Sequence, residues 1–341
     1  MMTEGKDGFG FLEVSPGRFA VGTGGFEAVA ELPDGADAFY VNDFELGDER
    51  PWKVPARFEV VGVEEFFGAG DAAGVAGARV EWEKLEPGDF EEVFDEVKRE
   101  IADGSIRKSV PVITERGRIG EGDAREWTAR LASVTGPMIR YGFVEGKEGM
   151  IGATPEELFT LSGDCVKTMA LAGTAATADR EEFETDAKEI EEHELVAQHI
   201  IQHLADLGVV TREAREAMDL GTLVHFLTRI ELVLARPRKI EGLVQRLHPT
   251  PALGAFPRSM ESLRKLQQYR ERLEAPPRFG APFGVYHAGS FRAVVSIRHV
   301  SWCGDAVCLP AGVGVIEESN LEREWRELAL KRESVKRLLS L

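Results

Sequence analysis

The sequence predicts an α+β fold of antiparallel hairpins with helices set among them, and three observations support it. Short segments alternate apolar and polar residues between Gly and Pro punctuation, as in FGFLEV, RFAVGTG, DAFYVNDF, ARFEVVGV and ARVEWEKL. Helical stripes fall between groups of such segments rather than alternating one to one with them, which argues against a doubly wound parallel sheet. A hydrophobic content of 43% with 29% charged residues suits a globular chain that buries a substantial core.

Residues 1–85 read as a β-rich part, with GAGDAAGVAGA at 68–78 as a surface loop. VGTGG lacks both the lysine of a phosphate loop and the spacing of a dinucleotide fingerprint. The first helix is expected over Phe90–Ala102. Asp89 and Glu92 form its capping box, Phe90, Val93, Phe94, Val97 and Ile101 its apolar stripe, and Gly104 its stop. IRKSVPVIT follows as a strand carrying Lys108. On composition, such a lysine points outward from a half-buried strand.

Strand and turn alternate over 140–175. Helices are expected at 183–207, with Ile190, Val196, Ile200, Leu204 and Leu207 inward, and at 212–217. LVHFLTRIELVLA reads as a strand, HPTPALGAFPR as turns and 258–274 as a charged amphipathic helix. Strands at GVYHAG, FRAVVSIRHVSW and AVCLPAGVGV lead to a final helix over 321–339.

A net charge of −18 argues against a nucleic-acid binder, since no basic excess displaces phosphate counterions. It also means that an anionic substrate needs local cations or a metal to reverse the field. The opening MMTEGKDGFG shows no secretion signal, and no apolar run reaches the roughly 20 residues of a membrane span, so no membrane partner and a cytoplasmic location are expected. Cys303 and Cys308 flank a hairpin turn at GDAV. With Cys165 they read as reduced thiols.

Two acidic pairs stand at helical i, i+3 spacing: Glu189 with Glu192, and Glu324 with Glu327. Roughly ten such pairs arise by chance among 59 acids in 341 residues, most of them solvated. The second pair follows the glycine turn AGVGV, and Lys331 sits one turn beyond Glu327. Carboxylates from two helices, leaving positions for water and a substrate oxygen, suit octahedral Mg²⁺. Arg298 follows an apolar strand, where it either lies on the outer face or turns inward as a carboxylate fork. His225 among apolar neighbours reads, on composition, as a hydrogen-bonded core residue.

From about Phe90 onward these ordered motifs resemble the chorismate-utilising enzymes: isochorismate, salicylate, anthranilate and aminodeoxychorismate synthases. The resemblance implies a single large domain of antiparallel sheets packed as a sandwich with flanking helices. Residues 1–85 would belong to that body, and 86–341 would be the chorismate-binding catalytic region. The segment before Phe90 is short for the family, so a trimmed N-terminal sheet is expected.

The KE-x-x-EH motif (Lys188, Glu189, Glu192, His193) and the later E-x-x-E (Glu324, Glu327) are implied to supply the Mg²⁺ site. Glu192 and Glu327 would be direct ligands, with Glu189 and Glu324 holding waters. Arg298 would grip a substrate carboxylate beside Gly312 and Gly314. Ala172, Gly173 and Thr174 of LAGT, together with Lys331, would line the substrate. His225, with Thr228 in H-x-x-T, would take a place in the active site. Lys108 matches the general base of isochorismate and salicylate synthases, where amine-adding relatives carry glutamine. Glu156 in GATPEEL matches the proton donor, in preference to its neighbour Glu157. The strand differs from the KVVLAR of isochorismate synthases by Pro111 and by the missing arginine.

HPTPALGAFPR and LAGTA favour an isochorismate synthase over the amine-adding members, so no glutaminase subunit is expected. A salicylate synthase and a noncatalytic chorismate-binding relative are the alternatives. The chain is expected to act as a monomer or homodimer, with chorismate as its small-molecule partner.

Overall fold

The computed structural model describes residues 8–68 and 78–341. Strands β1 (Phe9–Ser15), β2 (Arg18–Val29), β3 (Ala38–Val41) and β4 (Trp52–Gly62) precede a short helix α1 (Val63–Phe67) and β5 (Arg79–Trp82). Helix α2 (Gly88–Ala102), β6 (Val112–Glu121) and the single turn α3 (Trp127–Arg130) come next. They lead to β7 (Ile139–Glu145), β8 (Glu148–Thr154), β9 (Glu157–Ser162) and β10 (Cys165–Ala176). Helices α4 (Arg180–Phe183) and α5 (Ala187–Leu204) precede β11 (Gly208–Arg212), β12 (Glu216–Asp219) and β13 (Leu223–Leu234). The chain ends with α6 (Ile240–Leu247), α7 (Met260–Arg272), β14 (Pro282–His287), β15 (Ser290–Val295), β16 (His299–Cys303), β17 (Ala306–Gly312) and α8 (Leu321–Leu339).

The described strands, seventeen in all, join one antiparallel network. It runs β5-β6-β17-β16-β8-β7-β1-β2-β4-β3-β14-β15-β9-β10-β13, with β11 and β12 sharing the far edge of β13. Helices flank it. Val196 and Ile200 of α5, Leu243 of α6 and Leu266 of α7 pack on Phe159, Ala170, Ile230 and Phe291. Phe90, Val93 and Val97 of α2 meet Leu328 of α8 over Ile113 and Val313. No helix among the described residues is long and apolar enough to cross a membrane.

The path of the chain through this network creates the site. Strand β8 pairs with β16 in one part of the ladder, whereas β9 pairs with β15 in another. Yet β8 runs into β9, and β15 into β16, across only a few residues each. A two-stranded ribbon therefore crosses between the two parts and is interrupted at Pro155–Glu156 and at Ser296–Arg298. Pro155 cannot donate a ladder hydrogen bond, and Arg298 takes a left-handed φ of 54°. The expected continuous strand FRAVVSIRHVSW is broken at this point.

Other expectations need correction. The proposed helix at 212–217 is absent: Arg212 ends β11 and Glu216 begins β12, both paired to β13. TREAREAM is rich in helix formers, but the free edge of β13 overrides that weak preference. The capping box of α2 does not form, because the helix starts two residues early behind Pro87 and Asp89 lies inside its first turn. The helix expected over 183–207 is two, divided before Asp186, whose side chain caps α5 by accepting from the N–H groups of Lys188 and Glu189. Lys108 precedes β6, held by isolated bridges of Lys108 to Phe256 and of Ser109 to Val315. Most of the loop read at 68–78 lies outside the described residues.

Candidate active site

The interrupted ribbon opens onto a cavity lined by Glu156, Ala172, Gly173, Thr174, Glu192, His225, Arg298, Gly312, Gly314 and Lys331. Ten positions singled out in the sequence thus converge here from β9's entry, β10, α5, β13, the turn before β16, the glycine turn after β17, and α8.

Arg298 is buried, turned inward by its left-handed backbone. Its Nη1 donates to Ser334 Oγ at 3.0 Å, and its Nη2 lies 3.2 Å from His225 Nε2. Burial brings its pKa down to about 10, against the pull of Glu327. The other ring nitrogen of His225, Nδ1, lies 2.9 Å from the Gly173 carbonyl oxygen and 3.1 Å from Thr174 Oγ1. Burial, with Arg298 and Lys331 adding to it, depresses the pKa of His225 to about 3.

Gly152 permits the ribbon's close approach. A Cβ there would lie 2.5 Å from the Arg298 carbonyl oxygen and 2.6 Å from His299 Cβ. The glycine of GATPE is thus a requirement of strand pairing against Arg298.

The two neighbouring glutamates separate clearly. Glu156 is buried in the cavity wall, and burial raises its carboxyl to about 7 despite the Lys108 and Lys331 charges. Glu157 instead receives the Arg292 guanidinium at 2.7 Å and does not line the cavity.

Lys108 is fully buried, against the outward reading of its strand, and its Nζ donates to Glu192 Oε1 at 2.9 Å. It does not line the cavity itself but stands behind Glu192 and Gly314. A Cβ on Gly314 would sit 2.2 Å from Glu192 Oε1 and 2.8 Å from Lys108 Cε, so a side chain there would push the ends of both aside. Lys331 Nζ pairs with Glu327 Oε1 at 2.6 Å and donates to the Gly312 carbonyl at 2.9 Å, joining α8 to the glycine turn.

Three of the four acids of the two helices meet around a cation of the protein itself, while Glu327 pairs with Lys331. Lys188 Nζ lies 3.1 Å from Glu189 Oε1 and 3.3 Å from both Glu192 Oε2 and Glu324 Oε1. Among the described residues no three acid, histidine or cysteine side chains form a ready-made metal cluster. Burial would raise Glu192, but Lys108 and Lys188 hold it at about 2. Burial lifts Glu324 to about 7 against the pull of Lys188, with Glu327 and Glu192 adding to the rise.

Glu189 is engaged on both oxygens, Oε2 accepting from the Thr174 N–H at 2.7 Å and Oε1 from Arg323 at 2.8 Å. It therefore props the LAGT turn from behind. Both carboxylate oxygens of Glu324 are buried without a hydrogen bond, Oε1 lying 3.3 Å from the Lys188 ammonium. An all-carboxylate donor set with one acid short of hydrogen bonds fits a hard divalent cation that keeps its waters. His193 lies elsewhere: its Nε2 is 2.8 Å from Thr228 Oγ1, fastening α5 to β13 in the core.

Sequence reasoning missed much of the apolar lining, including Leu171, Leu253, Phe279, Ile297 and Pro310. Leu253 lies in HPTPALGAFPR, whose Phe256 carbonyl accepts from the Arg107 and Lys108 N–H groups. Nothing in these residue types distinguishes a substrate wall from ordinary core.

Comparison with known proteins identifies the family and the fold. Residues 73–340 match the family described as chorismate binding enzyme. Over 208 residues the chain is 31% identical to the salicylate biosynthesis isochorismate synthase of Pseudomonas aeruginosa, covering 57% of this chain and 43% of that protein. The structure superposes on MenF, the menaquinone-specific isochorismate synthase from Escherichia coli, with a TM-score of 0.81 at 18% identity, covering 98% of this chain and 90% of that one. Anthranilate synthase component I from Streptococcus pneumoniae gives a TM-score of 0.69 at 17% identity, over 89% of this chain and 81% of that one. At these identities the two structures establish the shared fold, a large antiparallel sheet with flanking helices. The chain matches between 34% and 60% of the length of curated relatives such as the Pseudomonas protein. With the family matched over most of its length, the chain belongs to the chorismate binding enzymes.

Proposed function

We propose that the protein is a Mg²⁺-dependent isochorismate synthase. One observation carries this reading: a buried carboxyl held at about 7, Glu156, shares a cavity wall with Arg298 and Lys331, with Lys108 behind Glu192. A carboxyl that keeps its proton near neutral pH has the property a general acid needs.

In this reading Arg298 receives a substrate carboxylate through its planar fork. Lys108 takes a proton from water as the water oxygen bonds to C2 of chorismate. The double bond shifts, the C4–O bond breaks, and Glu156 delivers its proton so that hydroxide departs as water. One water enters and one leaves, and the net change is an isomerisation. Glu192 and Glu327 would hold Mg²⁺, with Glu189 and Glu324 oriented toward its waters. The ion would bind the ring carboxylate and draw electron density from the diene.

Chromatographic assay of chorismate with and without Mg²⁺ tests the proposal, isochorismate being the expected product. Coupling to lactate dehydrogenase separates the related outcome: pyruvate appearing in step with salicylate would replace this reading with a salicylate synthase. Chorismate bound but returned unchanged would make the protein a binding relative without turnover.

A further inference from the structure

We infer that His225 is a positioning residue, a neutral imidazole whose Nε2 lone pair orients the Arg298 guanidinium and which exchanges no proton with the substrate. This rests on the function proposed above, because it assigns the substrate carboxylate to Arg298.

Two neighbours fix the tautomer independently. The Gly173 carbonyl, 2.9 Å from Nδ1, can only accept, so Nδ1 carries the proton. The Arg298 Nη2, 3.2 Å from Nε2, can only donate, so Nε2 presents its lone pair. Both requirements select the same neutral ring. An imidazolium would set a second N–H against the guanidinium, in a buried place that Lys331 also lines. The Glu192 carboxylate in the same cavity wall is already engaged by Lys108. The proton and the lone pair that a histidine acid–base catalyst needs are thus both committed.

The fold builds this contact deliberately. Gly173, with φ of 75° beside the irregularity in β10, turns its carbonyl toward the ring. Ser334 holds the other terminal nitrogen of Arg298. With Nη1 and Nη2 each anchored by one bond, the remaining N–H groups of the fork are left for a carboxylate. The ring also ties the LAGT turn and Arg298 together, so the two elements that face the anion stay in register.

The test uses three single variants of the full chain, with chorismate binding by calorimetry and steady-state turnover. H225N keeps a donor near Nδ1 but has no acceptor reaching Arg298. H225Q places an amide oxygen where Nε2 stood. H225N should raise KM about tenfold or more, with a change in kcat of less than about fivefold, and H225Q should bring KM back to within about threefold of wild type. Adding H225N to R298K should cost little beyond R298K alone, because the histidine acts through the arginine.

A loss in H225Q of about 10²-fold or more in kcat at unchanged KM would mark an acid–base catalyst and overturn the inference. Full additivity of H225N with R298K would do the same. Nitrogen NMR of histidine-labelled wild-type protein supplies a readout independent of substrate. It should show the neutral Nδ1–H tautomer at pH 6, whereas an Nε2–H tautomer or an imidazolium there refutes the pairing. Failure of the wild type to bind chorismate overturns the proposed function, and the NMR result still decides whether His225 accepts from Arg298.

Discussion

Glu156 and Arg298 stand opposite one another at the same interruption of the crossing ribbon. The Glu156 carbonyl accepts from the Val295 N–H at 3.0 Å, and the Arg298 carbonyl accepts from the Ala153 N–H at 3.2 Å. The ladder is therefore pinned on both sides of the gap, and the two side chains that face the cavity are carried by paired strands rather than by a free loop. A site held this way is preorganised by backbone hydrogen bonds.

That arrangement depends on Gly152. Gly152→Ala brings a methyl group within 2.5 Å of the Arg298 carbonyl and against the His299 side chain, neither of which is a flexible end. The expected loss is about 1–3 kcal/mol of stability, as for other overpacked interiors, accompanied by weaker chorismate binding as Arg298 shifts. Denaturant unfolding and calorimetry check both parts. Unaltered stability with unaltered binding would mean that the ribbon tolerates a wider separation.

Glu156 sets an alkaline limit on the forward reaction. Its carboxyl is raised by burial to about 7, so it is protonated below that pH and loses its proton above it. As the proposed acid it works only when protonated, so kcat/KM should fall as pH rises through about 7. Glu156→Gln keeps the shape but has no proton to give, and should reduce kcat by about 10²–10⁴-fold while abolishing that limb. A pH–rate profile of the two proteins decides it. An E156Q enzyme of near-normal rate would remove Glu156 from the chemistry.

Lys108→Ala tests the partner role. Glu192 keeps Lys188 at 3.3 Å after the change, so its charge stays compensated and the protein should remain folded. Turnover should fall by about 10²–10⁴-fold with chorismate binding retained, since Lys108 makes no proposed contact to the carboxylates. Normal turnover in K108A would transfer the base duty to another residue, which the burial of Lys108 behind Glu192 makes a specific alternative.

Much of this was readable in the sequence, and the exceptions have physical causes. The helix over 321–339 was legible to the residue because Asn320 caps a strongly periodic stripe. The convergence of Glu156, Arg298, Gly312 and Lys331 on one cavity followed from motif order. The strands at 208–212 and 216–219 were hidden, because helix-forming residues there answer to an open strand edge that only the assembled sheet provides. The place of Lys188 among acids from α5 and α8 was hidden for a similar reason: 3.3 Å to Glu324 depends on how two distant helices pack. Leu253 and Phe279 read as ordinary core because an apolar cavity wall and an apolar interior use the same residues.

The proposed metal ligands can be tested against a near neighbour. Glu192→Gln or Glu327→Gln should leave the protein folded but abolish Mg²⁺-dependent turnover, each removing an anionic oxygen. Glu317→Gln should leave it largely intact, because Glu317 is exposed and the structure uses its backbone carbonyl as an acceptor for Lys98. Mg²⁺ titration of activity in the three variants is the measurement, and a loss in E317Q equal to that in E327Q would shift the assignment along α8's approach.

Lys188 makes a prediction about stability that needs no turnover. Its ammonium is the common partner of Glu189, Glu192 and Glu324, and their combined attraction holds its proton firmly despite burial. Lys188→Met should leave Glu324 buried without its cation, while Glu192 keeps Lys108 and Glu189 keeps Arg323, at a cost of roughly 3–5 kcal/mol in metal-free protein at pH 8. The sign with pH follows from Glu324, whose folded-state carboxyl is raised to about 7 even with Lys188 present. A raised carboxyl binds its proton more tightly in the folded state, so stability falls as pH climbs from the ordinary carboxylate range through 7. K188M should steepen that fall, and lowering the pH toward 5 should restore much of the lost stability. Mg²⁺ should restore it at pH 8 as well, by about 2.7 kcal/mol at a concentration a hundred times its Kd. Urea unfolding at pH 5 and pH 8, with and without Mg²⁺, separates these effects. A K188M protein as stable as wild type at pH 8 without metal would mean that the acids do not depend on Lys188 for compensation.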